Sequence, residues 1–165
     1  MGLDPNSSFV HRRRYRTRVR RAALLLLTVA LVAGCGGGGG GERLTREDYA
    51  AKADAICGKY NQQTKALANP SNLSDLADVA DKTLPILDNA LDDLHKLKPP
   101  ADEQSTADDW LAAVEKLKGD LKEIRDKAKD KDLKGVQDVV PKASEHNAKS
   151  NQLATQLGMT VCNKD

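Results

Sequence analysis

The segment DEQSTADDWLAAVEKLKGDLKEIRDKAK, residues 102–129, sets the fold class of this chain. Its apolar side chains recur at three- and four-residue steps, and lysines and aspartates fill the opposite side. These apolar positions are Trp110, Val114, Leu117, Leu121, Ile124 and Ala128. The pattern predicts one long amphipathic helix with i,i+4 ion pairs, such as Lys116–Asp120 and Glu123–Lys127, on its polar surface.

An earlier helix has a clear start signal at Thr45. Thr45 is a favourable N-cap, and Asp48 three residues later completes a variant of the capping box. Leu44 and Tyr49 occupy the positions of a hydrophobic staple. We expect this helix to run to the turn Asn69-Pro70-Ser71-Asn72, with an inner face formed by Tyr49, Ala53, Ile56, Tyr60 and Leu67.

The next helix is predicted to begin near residues 72–74 and to stop at Pro99-Pro100. Its seam is rich in leucine and nearly heptad in spacing, at Leu73, Leu76, Ala80, Leu84, Leu87, Leu91 and Leu94. Pro85 lies within this seam and removes one backbone donor, which predicts a kink.

The last helix is expected from about Asp132 to Leu157, followed by Gly158 as its C′ residue. Pro141 should kink this helix or delay its regular start. Its apolar positions are Leu133, Val136, Val140, Ala143, Leu153 and Leu157.

The middle of this last helix interrupts the apolar pattern. One helical frame places Asn147 and Ser150 on the inner face, and the other places His146 and Ser150 there. Local conflicts of this kind can mark functional sites, so we identify His146, Asn147 and Ser150 as a candidate ligand site. The alternative is a thinly packed helix whose polar groups are satisfied or face water.

Four amphipathic helices with short connections and no strand predict an all-α fold, a four-helix antiparallel bundle. A bundle of this size has room for a core, but this one is rich in alanine. A covalent cross-link would therefore help to stabilise it.

Charge is distributed unevenly along the chain. The whole sequence carries +2, with 26 basic and 24 acidic side chains. Seven arginines lie between Arg12 and Arg21, so residues 35–165 carry 19 basic and 23 acidic side chains. Because nucleic-acid binding needs concentrated positive charge, the remainder of the chain is not expected to bind nucleic acid.

Residues 1–34 have the organisation of a secretory signal peptide. The arginines precede a short apolar run, residues 22–33, which ends in small residues. That run is shorter than the roughly 20 residues that span a bilayer. We expect removal of residues 1–34 after export by the general secretory route. Arg20-Arg21 leaves the twin-arginine route open, and Val10 or Val19 are alternative starts.

The end of this signal, Leu31-Val32-Ala33-Gly34-Cys35, resembles the lipobox of bacterial lipoproteins. The resemblance implies that a diacylglycerol is attached to the sulfur of Cys35 and that cleavage makes Cys35 the first mature residue. The six glycines Gly36–Gly41 fit a flexible tether better than a phosphate loop, because no Lys-Ser/Thr pair follows. We therefore divide the chain into a signal peptide (1–34), a lipidated tether (35–42) and a bundle domain (43–165).

With Cys35 assigned to the lipobox, Cys57 and Cys162 remain as an even pair in an oxidising compartment. An antiparallel bundle brings the end of the fourth helix beside the start of the first, within reach of Cys57. The pattern predicts a Cys57–Cys162 disulfide; two free buried thiols or a metal-binding pair are the alternatives.

Two short segments carry a second resemblance. Tyr49-Ala-Ala-Lys-Ala-Asp-Ala-Ile-Cys57 and Gly158-Met-Thr-Val-Cys162 look like the ends of small secreted lipoproteins of actinobacterial type. The resemblance implies a helical domain closed by this cysteine pair. It implies no activity.

No residue pattern in the chain predicts catalysis or metal binding. His95 and His146 lie on different helices without a metal-ligand spacing, and no Ser–His–acid arrangement follows from the sequence. Carboxylates such as Asp92-Asp93 and Asp108-Asp109 are expected on the solvent-exposed face. We expect no catalytic residue, no cofactor and no metal.

The sequence thus predicts a non-enzymatic lipoprotein on the extracytoplasmic face of the cell membrane. Its expected partners are the membrane, through the N-terminal lipid, and a protein or cell-envelope component of unknown identity. The alternative is a carrier that holds a small molecule or a metal in a groove between its helices.

Overall fold

The computed structural model describes residues 42–164, which form four α-helices. These are α1 (Arg46–Lys65), α2 (Leu73–His95), α3 (Gln104–Lys129) and α4 (Leu133–Gln156). No strand occurs in this range, so the all-α prediction is confirmed. The signal peptide, Cys35 and the glycine tether lie outside the described residues.

The predicted helix starts are confirmed at three N-caps. The side chains of Thr45, Asn72 and Asp132 each accept a hydrogen bond from a backbone N–H in the first turn that follows. At the other end of α4, Gly158 has a φ of 81°. This left-handed conformation is the one that favours glycine at C′, as the sequence predicted.

Two predicted helix ends are wrong by a few residues. α1 ends at Lys65, before the Asn69–Asn72 turn, so Leu67 lies outside the helix. α2 ends at His95, ahead of Pro99-Pro100. Proline disfavours the helical conformation in the residue before it, so a helix ends ahead of a Pro-Pro pair.

Both internal prolines lie within continuous helices, Pro85 in α2 and Pro141 in α4. The delayed start of α4, one of two predicted effects of Pro141, is wrong because α4 begins at Leu133. Asp132 explains this start: its carboxylate accepts the Gly135 N–H at 2.8 Å and fixes the first turn well ahead of the proline.

The four helices form the predicted bundle. Between α2 and α3, the pairs Asp88–Lys118 and Asp81–Arg125 step backward in one helix and forward in the other, as antiparallel packing requires. The main apolar cluster contains buried residues from all four helices. A smaller cluster at the opposite end is built on Ala77, Ala128 and Val136, from α2, α3 and α4.

The rotation of α4 differs from its predicted apolar list. Leu133 and Val140 were expected inside but are 56% and 47% exposed, whereas Val136 and Val139 are buried. The inner face lies between the two predicted frames, because Val136 and Ala154 of one frame are buried together with Val139 and Leu153 of the other. Burial of these residues and of Leu157 removes more apolar area from water than Leu133 and Val140 leave exposed.

The predicted disulfide is confirmed: Cys57 and Cys162 are bonded, with 5.4 Å between their Cα atoms. The segment after α4 runs beside α1, where Met159 is buried in the main cluster and Thr160 reaches Asp54. This bridge joins α1 to the chain's last turn across 105 residues of sequence.

Candidate functional site

A buried carboxylate lies at the contact between α3 and α4. The side chain of Asp120 is 2% exposed; its Oδ2 lies 2.5 Å from His146 Nδ1, and its Oδ1 lies 3.2 Å from Lys142 Nζ. The sequence placed Asp120 on the polar surface of α3, paired with Lys116. That expectation is wrong, since Asp120 faces α4 and is paired across the helix contact.

Opposing effects set the charge of Asp120. Burial raises the pKa of Asp120. The hydrogen bonds from His146 and Lys142, together with the charges of both groups, lower it by more, so the pKa lies below its usual value. Asp120 is therefore an anion at neutral pH, and the imidazole Nδ1–H donates to it. Any further partner of this imidazole ring has to bind at Nε2.

An open groove of about 490 Å³ lies over this pair. Its lining is formed by Lys116, Gly119, Asp120, Glu123, Lys142 and His146. A Cβ built on Gly119 would meet no atom within 4 Å, so no internal contact requires a glycine there. Glycine inside a helix costs about 1 kcal/mol relative to alanine, and here its effect is to leave the groove wider.

The three residues of the predicted ligand site occupy different environments. His146 is 24% exposed and lines the groove. Ser150, one turn further along α4, is 4% exposed and belongs to the interior. Asn147 is half-buried. The structure thus brings His146 to the groove with Asp120, Lys142 and Glu123, which the sequence analysis did not assign to a site.

A signal for Asp120 was present in the sequence. Asp120 follows Leu117 by three residues and precedes Ile124 by four, so it continues the apolar seam of α3. A carboxylate in that seam, opposite a histidine in the inner frame of α4, predicts a buried pair. The i,i+4 spacing of Lys116 and Asp120 predicts a surface ion pair equally well, so the sequence does not decide between the two positions of this carboxylate.

The Asp120–His146 pair orients the imidazole and leaves Nε2 as the nitrogen available to a bound group. Within the described residues, no set of three or more His, Cys, Asp or Glu side chains is arranged to hold a metal ion. The groove is therefore lined by one imidazole, two ammonium groups and two carboxylates, of which Asp120 is already paired with His146 and Lys142.

A second group of polar atoms lies inside the main core. Tyr49 and Trp110 are each 1% exposed, and neither Tyr49 Oη nor Trp110 Nε1 has a hydrogen-bond partner among the described residues. Burial, followed by the negative charges of Asp108 and Glu103, raises the pKa of Tyr49 to about 12. Tyr49 is therefore a neutral phenol at every physiological pH, a packing residue rather than a base.

The other histidine of the domain is a surface residue. His95 Nε2 lies 3.2 Å from Glu115 Oε1, and both side chains are about half exposed. His95 and His146 contact different acidic partners on α3, so they do not form one site.

None of the helices in residues 42–164 combines the length and apolarity that crossing a membrane requires. No protein-family model matches the chain, and neither a curated protein nor a solved structure is similar to it.

Proposed function

We propose that this chain is a lipid-anchored lipoprotein on the extracytoplasmic face of the cell membrane, of the small actinobacterial type. In this proposal it is not an enzyme and acts through contacts with a protein or with the cell envelope. The observation that carries the proposal is the order of its parts: arginine-rich leader, apolar run, lipobox cysteine, glycine tether and disulfide-closed bundle.

The boundary between tether and bundle supports this order. Leu44, three residues after the last glycine in the sequence, is held to the domain: its N–H donates to the Lys98 carbonyl at 2.9 Å. Arg43 donates to the Pro99 carbonyl at 3.0 Å and to Gln104 Oε1 at 2.7 Å. The six glycines would then link an anchored Cys35 to a domain whose first described residues already contact the rest of the fold.

The disulfide supports an extracytoplasmic location, because disulfides persist in oxidising compartments and are rare in the cytosol. A role in contacts is supported by Leu133 and Val140, the two large apolar side chains of the domain that are most exposed. They lie seven residues apart, hence on the same side of α4.

Lipidation is tested by mass spectrometry of the membrane fraction of a bacterial host that produces the full chain. We expect a mature N-terminus at Cys35 that carries acyl chains. Cys35→Ala should leave the precursor uncleaved and unacylated, whereas the control Gly38→Ala should be processed normally. A mature protein that retains residues 12–34 would contradict the proposal.

A second candidate function is a carrier of a small polar molecule or a metal, and the groove over Asp120 and His146 favours it. Native mass spectrometry of the purified protein would show a retained ligand if this candidate is correct. His146→Gln should then abolish retention, while His95→Gln, on the surface, should not. Absence of any bound mass in the wild-type protein would leave the contact role as the proposal.

A further inference from the structure

A single carboxylate on α1, that of Asp54, accepts hydrogen bonds from the backbone of residues 160–162. Asp54 Oδ2 accepts the N–H of Thr160 at 2.8 Å and its hydroxyl at 3.0 Å. Asp54 Oδ1 accepts the N–H of Val161 at 2.9 Å and that of Cys162 at 3.0 Å. We call Asp54 together with residues 160–162 the C-terminal clasp.

The clasp and the disulfide fix the same residue in two ways. Asp54 and Cys57 are three positions apart on α1 and therefore lie on one side of the helix. Asp54 holds the backbone amide of Cys162, and Cys57 holds its sulfur. Hydrogen bonds to an ionised acceptor are about twice as strong as neutral ones, so the clasp is able to place Cys162 before any covalent bond exists.

Chain entropy opposes formation of the Cys57–Cys162 bond. Cys57 and Cys162 are separated by 105 residues of sequence. Because the entropic cost of closing a loop rises with the logarithm of its length, an unfolded chain rarely brings these two thiols together. Contacts that hold residues 160–162 beside α1 offset this cost.

We propose that Asp54 positions residues 160–162 before the thiols are oxidised and thereby favours formation of the Cys57–Cys162 bond. With glutathione disulfide as oxidant, the Cys57 and Cys162 thiols lose two protons and two electrons as their sulfurs bond. Two molecules of glutathione thiol form. Asp54 takes no part in this exchange; it is a positioning residue.

The test uses the full chain with Cys35→Ala, so that Cys57 and Cys162 are its only thiols, in detergent, reduced and then equilibrated in glutathione buffers of known ratio. Peptide mapping gives the fraction of chains that contain the Cys57–Cys162 bond. We expect Asp54→Ala to lower the equilibrium constant for this bond by about tenfold or more. The control Asp48→Ala removes the same charge from α1 and should change that constant by less than about threefold.

Equal constants in the wild type and Asp54→Ala would overturn the proposal, because the clasp would then be a consequence of the disulfide. Should Asp54→Ala fail to fold by circular dichroism, amide hydrogen exchange of the reduced wild-type chain tests the same point. Protection of the Val161 and Cys162 amides without the disulfide supports the proposal. Free exchange of both amides overturns it.

Discussion

Asp54 and Asp120 are helical carboxylates that each hold a distant segment of the chain in place. Asp120 is buried and Asp54 is half-buried, and each accepts hydrogen bonds from a segment remote in sequence: residues 160–162 for Asp54, and α4 for Asp120. In both cases burial raises the pKa, and the hydrogen bonds lower it by more. Both groups are therefore held as anions that link two parts of the fold.

Replacing Asp120 tests how much its buried pairing contributes to stability. Asp120→Ala removes the acceptor for His146 and Lys142, and we expect the free energy of unfolding to fall by about 1–3 kcal/mol. The control is Asp88→Ala, which breaks the exposed pair with Lys118 and should cost less than about 1 kcal/mol. Urea unfolding measures both, and equal losses would mean that Asp120 contributes no more than a surface charge.

Replacement of Tyr49 should have the opposite effect on stability, because its buried hydroxyl has no hydrogen-bond partner among the described residues. Tyr49→Phe removes that unsatisfied oxygen and keeps the ring in the core. We expect stability to be unchanged or to rise by up to about 1 kcal/mol. A loss of more than 1 kcal/mol in urea unfolding would show that the hydroxyl does contribute a hydrogen bond.

At the scale of the helices, two glycines have opposite roles. Gly158 needs its positive φ to end α4, whereas Gly119 lies within α3 in open space. We expect Gly158→Ala to destabilise the protein by about 1 kcal/mol and Gly119→Ala to stabilise it by about 0.5–1 kcal/mol. Thermal unfolding of the two variants is the measurement. If Gly119→Ala destabilises the protein instead, the groove wall requires a residue without a side chain at this position.

Helix starts were predictable from the sequence, since an N-cap such as Thr45 or Asp132 acts through the next three residues alone. The seams of α2 and α3 were likewise visible as spacing. The rotation of α4 was not, because its two frames differ by less than one turn and both contain valine and leucine. Packing against α3 sets a rotation between the two frames, with His146 turned toward Asp120, and that rotation depends on residues far away in sequence.

The candidate site could be predicted only in part for the same reason. His146 was visible as a polar interruption of an apolar pattern on one helix. Asp120 gains its role from the helix that faces it, and local spacing offered Lys116 as an equally good partner. The clasp at Asp54 depends on a non-helical turn whose backbone direction no periodicity encodes.

For the molecule as a whole, the disulfide has the largest expected effect. The main core lies at the end where α1, Met159 and the bridge meet, and the opposite cluster draws on α2, α3 and α4. Reduction should lower stability by about 4–5 kcal/mol in the loop-entropy model, and the melting temperature by at least about 10 °C. Calorimetry with and without reductant checks this; a shift under about 3 °C would contradict it.

Acid should destabilise the whole domain through Asp54 and Asp120. Both have folded-state pKa values below the usual value, so the unfolded chain binds protons more readily as the pH falls. Their contribution is therefore fully present above the unfolded-state pKa of about 3.9 and is lost as the pH falls through the lower folded-state values. The midpoint of urea unfolding, measured from pH 6 to pH 2, should be nearly constant down to about pH 4.5 and then decrease.

In Asp54→Asn this decrease should be smaller, because the asparagine does not titrate, and in the control Asp48→Asn it should match the wild type. An equal decrease in all three proteins would contradict a contribution from Asp54 and would assign the acid sensitivity to other carboxylates.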